Sequence, residues 1–172
     1  TLTAPFHPLT MHFKPLNGGQ FLPVNGLLRA SLMRRLDPEI IQAELLAQIA
    51  AFREIFGRAP DYVDGHQHVH ALPVVRGAFL DVLKARYGGR VMLVRDPADT
   101  AAAILGRSAA VKKSLLLSTL ARGFGDAVRA AGFITNTSFS GVSAFDEAKS
   151  YRTELERFFL LPSLRHLVMC HP

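Results

Sequence analysis

Asp64, His66, His68 and His70 recur at every second position in the run Asp64-Gly65-His66-Gln67-His68-Val69-His70. In an extended segment, alternate side chains project to one face, so this spacing would gather one carboxylate and three imidazoles on a single side. Burying such groups without partners costs roughly a few kcal/mol each, so a metal, a substrate or one another would have to satisfy them. Neutral imidazole is a good ligand for zinc and other divalent transition ions, and a carboxylate widens the choice to harder ions. Strand twist spreads alternate side chains by roughly 6 to 7 Å. One histidine is therefore expected to bind the ion, with the others facing substrate or supporting it. The same spacing also suits a histidine-rich loop in solvent that holds no ion.

Two further positions could take part. His171 follows the apolar run His166 to Cys170, at what reads as the carboxyl end of a strand, where enzymes with parallel strands place reacting groups. It could act as a general acid, or simply be a histidine that ends a strand. Cys170 should point to the opposite face, which argues against a Cys-His nucleophilic pair. Arg95, just past the short apolar run Val91 to Val94, could hold a carboxylate or an oxyanion, or pair with Asp96 at the surface. His7, His12 and His166 carry no motif and are expected to be structural.

The elements that must position these residues follow from periodicity. Residues 1–30 are rich in Pro and Gly and predict a long covering loop. A helix is expected from Pro38 to Phe56, with Asp37 as its cap, Pro38 in its first position and Gly57 at its end. Ile41, Leu45, Ile49, Phe52 and Phe56 mark its inward face. From Asp61 to Val69 the period changes to two, which predicts a strand running into a loop. A second helix opens at Pro73 and ends at Gly88, before a strand at Val91 to Val94. One long helical region is expected from Ala109 to Ala131, then a strand at Phe133 to Thr135, a helix from Glu147 to Leu160 and a strand from His166 to Cys170. This order predicts parallel strands joined by helical crossovers, an α/β fold in one domain over residues 1–172, with a barrel preferred to an open sheet.

Composition narrows the function classes. With 49 % hydrophobic residues in 172, a substantial core is possible and disorder is not expected. Cys170 is the only cysteine, so no intramolecular disulfide or thiolate-rich zinc site can form, and the default expectation is cytoplasmic. No run approaches the ~20 apolar residues of a membrane span. The formal charge of +6 comes from scattered Lys and Arg residues without a recognised binding motif, which predicts a basic solvated surface and not a nucleic-acid interface. Opening at Thr1 without a methionine and closing on Cys170-His171-Pro172, the chain reads as a fragment.

The run from Pro60 to His70, preceded by Glu44-Leu45-Leu46-Ala47-Gln48-Ile49-Ala50-Ala51-Phe52, resembles the YdjC-like family, which includes chitooligosaccharide deacetylases and hopanoid-associated relatives. The likeness extends to Thr1-Leu2-Thr3 with Pro8-Leu9, to Arg95, and to Val168-Met169-Cys170-His171-Pro172. It implies a distorted (β/α) barrel that hydrolyses N-acetyl groups of amino sugars with a divalent metal, magnesium or zinc, held by an aspartate and two histidines. By this resemblance His66 is a metal ligand, Asp64, His68 and His70 line the neighbouring pocket, His171 protonates the leaving amine, and Arg95 orients the aspartate or stabilises charge. The implied partner is an acetylated amino sugar, with a homodimer left open. The family's Asp-Asp pair and first ligand histidine would precede position 1, so little specific metal binding is expected of these residues alone. A phosphoesterase or other amidohydrolase, and a non-catalytic sugar- or polyanion-binding protein, remain open as alternatives.

Overall fold

The structure is a computed structural model that describes residues 1–144 and 150–170. It is a mixed α/β arrangement with short parallel strands. Two compact units are present, one of residues 1–94 and 128–134, the other of residues 95–127 and 135 onward.

In the first unit, β1 (Leu16–Asn17) and β2 (Gln20–Phe21) form an antiparallel hairpin. It is followed by α1 (Val24–Leu32), where the sequence predicts only loop. That helix is short and carries Gly26 and Asn25, which hide its period, yet it buries Leu27 and Ser31, and the Ser31 hydroxyl donates to the Pro73 carbonyl at 2.5 Å. Next comes α2 (Pro38–Phe56), with the expected bounds: the Asp37 carboxylate accepts the Glu39 N–H at 2.9 Å, and Gly57 closes the helix in the left-handed region. This helix packs on α3 (Val75–Tyr87), whose inward face carries Phe79, Val82 and Leu83.

The strands beside these helices are short. β3 (Tyr62–Val63) runs parallel to β4 (Leu93–Val94), with α3 as the crossover, and Ile134 bridges in parallel to Leu93. The expected strand from Asp61 to Val69 stops at Val63, and residues His66–Ala71 form a turn of 3-10 helix. Hydrogen bonds within the run override the period-two pattern here. The His68 N–H bonds back to the Gly65 carbonyl at 2.9 Å, and Gln67 and His68 take left-handed backbone angles, φ 55° and 63°. The three histidines therefore do not share one strand face.

The second unit contains α4 (Ala101–Arg107), α5 (Val111–Leu120) and α6 (Phe124–Ala130), the last turn of α6 being counted with the first unit. The single helix expected from Ala109 to Ala131 is thus two, broken around Gly123 at φ 75°. α4 is capped by the Thr100 hydroxyl, a signal the sequence reading passes over. β5 (Ser138–Ser140) pairs in parallel with β6 (His166–Val168), with Ser138 opposite His166, and α7 (Tyr151–Phe158) connects them. The expected start of that helix, residues 147–149, lies outside the described residues. No closed barrel forms among the described residues, whose parallel pairing is confined to these short segments. No helix among them is long and apolar enough to cross a membrane.

Candidate functional site

The histidine run begins where β3 ends, at the carboxyl end of a parallel strand. Asp64, the first residue past it, is exposed, and its Oδ2 accepts a hydrogen bond from the Tyr62 hydroxyl at 2.7 Å. Gly65 follows and is buried. Its N–H donates to His70 Nδ1 at 3.0 Å, so the neutral His70 ring carries its proton on Nε2. A Cβ at position 65 would stand 2.6 Å from His70 Nδ1 and 2.8 Å from the His70 backbone nitrogen. Only glycine permits this close approach, and the approach is what folds the run into a turn.

The turn sorts the histidines by environment. His66 is exposed, with its ring nearly perpendicular to that of Phe6, the centroids 5.8 Å apart. His68 is half-buried. His70 is 2 % exposed, against Phe79 at a centroid distance of 5.5 Å. Asp64, Gly65 and His70 form one polar edge of a cavity of about 260 Å³ whose remaining wall is mostly apolar, including Ile49, Phe52, Phe79 and Val82. His66 and His68 do not line it. Of the residues singled out in this run, the structure brings Asp64 and His70 together at the cavity and presents His66 to solvent.

Among the described residues, no group of three or more His, Cys, Asp or Glu side chains is placed to hold a metal ion. The described residues therefore do not fit a metal site by themselves. His66, three residues past the end of β3, is an exposed imidazole.

Arg95 belongs to the second unit. It is 4 % exposed and so is not the surface residue that one reading of the sequence allowed. Its Nη1 donates to Met169 Sδ at 3.2 Å and its guanidinium lies 5.6 Å from the centre of the Phe139 ring. His171 lies outside the described residues. His166, expected to be structural, is held by the Ser138 hydroxyl at 2.6 Å, the Ser140 hydroxyl at 2.9 Å and the Phe158 carbonyl at 2.9 Å.

Sequence reasoning missed Glu44. It is fully buried on α2, and its carboxylate accepts the N–H groups of Leu9 and Thr10, the Thr10 hydroxyl and the Gln48 amide, all between 2.8 and 3.1 Å. It thereby ties the loop that carries Phe6 to the helix. The signal was there: Glu44 follows Ile41 by three positions and so falls on the inward stripe of an otherwise apolar face.

The chain matches the profile described as YdjC-like protein over residues 1–172. It is 46 % identical over 72 residues to a carbohydrate deacetylase of Homo sapiens, covering 42 % of this chain and 22 % of that protein. It is 33 % identical over 82 residues to a chitooligosaccharide deacetylase of Escherichia fergusonii, covering 42 % of this chain and 32 % of that protein. The matched part thus spans less than a third of these relatives. No solved structure matches the chain at a significant level. The run of Asp64 and the histidines at the end of β3 therefore stands within a profile that takes in every residue of the chain, and the chain belongs to the YdjC-like protein family.

Proposed function

We propose that this chain is part of a metal-dependent carbohydrate deacetylase, which hydrolyses N-acetyl groups of amino sugars, their oligomers or glycolipids. The observation that carries this reading is the display of His66 at the carboxyl end of a parallel strand, in a chain whose relatives are carbohydrate and chitooligosaccharide deacetylases. In this proposal the 172 residues are one partial domain of a distorted barrel fold. Magnesium or zinc is the proposed ion. His66 contributes one ligand.

The chain's own residues then have separate tasks. His70, fixed by the Gly65 N–H, and Asp64, fixed by the Tyr62 hydroxyl, line the pocket beside the reacting group. Amide hydrolysis breaks the bond from carbonyl carbon to nitrogen, and the departing amine must gain a proton. His171 is proposed to supply it, with Arg95 stabilising charge.

The test uses the complete protein, assayed for acetate release from N-acetylglucosamine oligomers with and without a chelator. Release is expected, should stop on chelation and return with added divalent ion. Because His66 is exposed, His66→Ala should lower the rate by at least about 100-fold while leaving the melting temperature nearly unchanged. No acetate release from a broad panel of N-acetyl sugars would overturn the proposal.

A further inference from the structure

Phe6 stands out as a large apolar ring left 47 % exposed, directly against the imidazole of His66. Its backbone is not loose. The Phe6 carbonyl accepts the Phe21 N–H at 2.9 Å, and the Ala4 N–H donates to the Leu22 carbonyl at 3.0 Å. Phe21 is fully buried and meets Phe13 edge to face, with centroids 4.9 Å apart. Downstream, Glu44 holds the backbone of Leu9 and Thr10. The loop is thus fastened on both sides of Phe6, while the ring itself is left half open. The backbone that carries the ring is set before any ligand arrives, so little of its conformational freedom remains to be lost on binding.

An aromatic face of this kind suits a partner with an apolar face of its own and polar edges. A pyranose has that shape, with C–H groups on its faces and hydroxyls at its rim. Resting on the proposed deacetylase reading, we infer that Phe6 is the platform on which the amino-sugar ring packs, next to His66. Phe6 is then a specificity-determining residue that binds substrate without taking part in bond making. A contact of this type is equally present before and during the reaction, so it acts on substrate affinity and not on the chemical step.

The experiment compares the complete wild-type protein with Phe6→Leu and Phe6→Trp. Leucine keeps apolar packing and removes the flat face, whereas tryptophan enlarges it. Two quantities are read: KM and kcat for acetate release from the N-acetylglucosamine dimer, and the Kd of the glucosamine dimer, which cannot react. Phe6→Leu is expected to raise KM and Kd about 10-fold, to leave kcat within about twofold, and to melt within about 3 °C of wild type. Phe6→Trp should keep both near the wild-type values. If the wild type releases acetate but Phe6→Leu changes neither KM nor Kd, the inference is overturned and the deacetylase reading stands. A fall in kcat alone overturns it too, since the ring would then act by orienting His66. A wild type that neither releases acetate nor binds either sugar overturns both, and its inactivity separates that result from the other two.

Discussion

Glu44 shows how one buried carboxylate can fix a surface loop. Its oxygens, buried on α2, accept two backbone N–H groups, a hydroxyl and an amide from partners that are themselves only partly buried. Glu44→Ala removes the acceptor while the donors of Leu9 and Thr10 remain, and each buried donor left unmade costs roughly 1 to 3 kcal/mol. The expected loss is about 3 kcal/mol of unfolding free energy, seen as a lower urea midpoint, and a change below about 1 kcal/mol would mean that the loop's donors find water instead. Glu44→Gln keeps a carbonyl oxygen and should lose less. The role of Glu44 was legible only in outline, as a carboxylate at inward helical spacing. Which donors it meets depends on Leu9 and Thr10, more than thirty positions away, and no local pattern encodes that.

At the scale of elements, legibility follows how local the determining contacts are. α2 was readable to its ends because Asp37, Pro38 and Gly57 act within the helix termini themselves. The turn at His66–Ala71 was not, because the Gly65 N–H bonds a side chain five residues on, and this outweighs the alternation that suggested a strand. α4 carries a buried ion pair. Arg107 Nη1 meets Asp99 Oδ2 at 2.6 Å with both side chains 4 % exposed, and Arg107 also donates to the carbonyls of Leu160 at 2.8 Å, Leu161 at 3.0 Å and Phe139 at 3.2 Å. One guanidinium thereby links α4, β5 and the end of α7. Arg107→Leu would strand a buried carboxylate and should cost about 3 to 5 kcal/mol. Adding Asp99→Asn should recover part of this, and a double variant no more stable than the single one would show that the carbonyl contacts, not the charge pair, dominate.

For the molecule as a whole, the alternation of helix and strand was legible and gave the parallel pairing of β3 with β4, whereas β5 lies beyond the strand expected at Phe133 to Thr135, and closure of a barrel depends on strand contacts that no periodicity encodes. Charge was legible as a total of +6, but not its local arrangement. Asp61 is the instructive case. Hydrogen bonds from Arg58 first, then from Arg90 at 3.3 Å, hold its carboxyl below the usual carboxylate range, and the charges of both arginines act in the same direction. A carboxyl lowered in the folded state contributes its stability fully above the unfolded value, about 3.9, and loses it as the pH falls through that value toward the folded one. The group is exposed, so the contribution is small and screened by salt. Asp61→Asn should therefore melt slightly below wild type at pH 7 in low salt. The gap should narrow as the pH falls below about 4, and it should also narrow at pH 7 in about 1 M salt, where the screening length is about 3 Å. Thermal melts of both proteins at the two pH values and two salt concentrations check this. A gap as wide at pH 3 as at pH 7 and unchanged by salt would assign the effect to packing of the side chain, and not to the two arginines that converge on it.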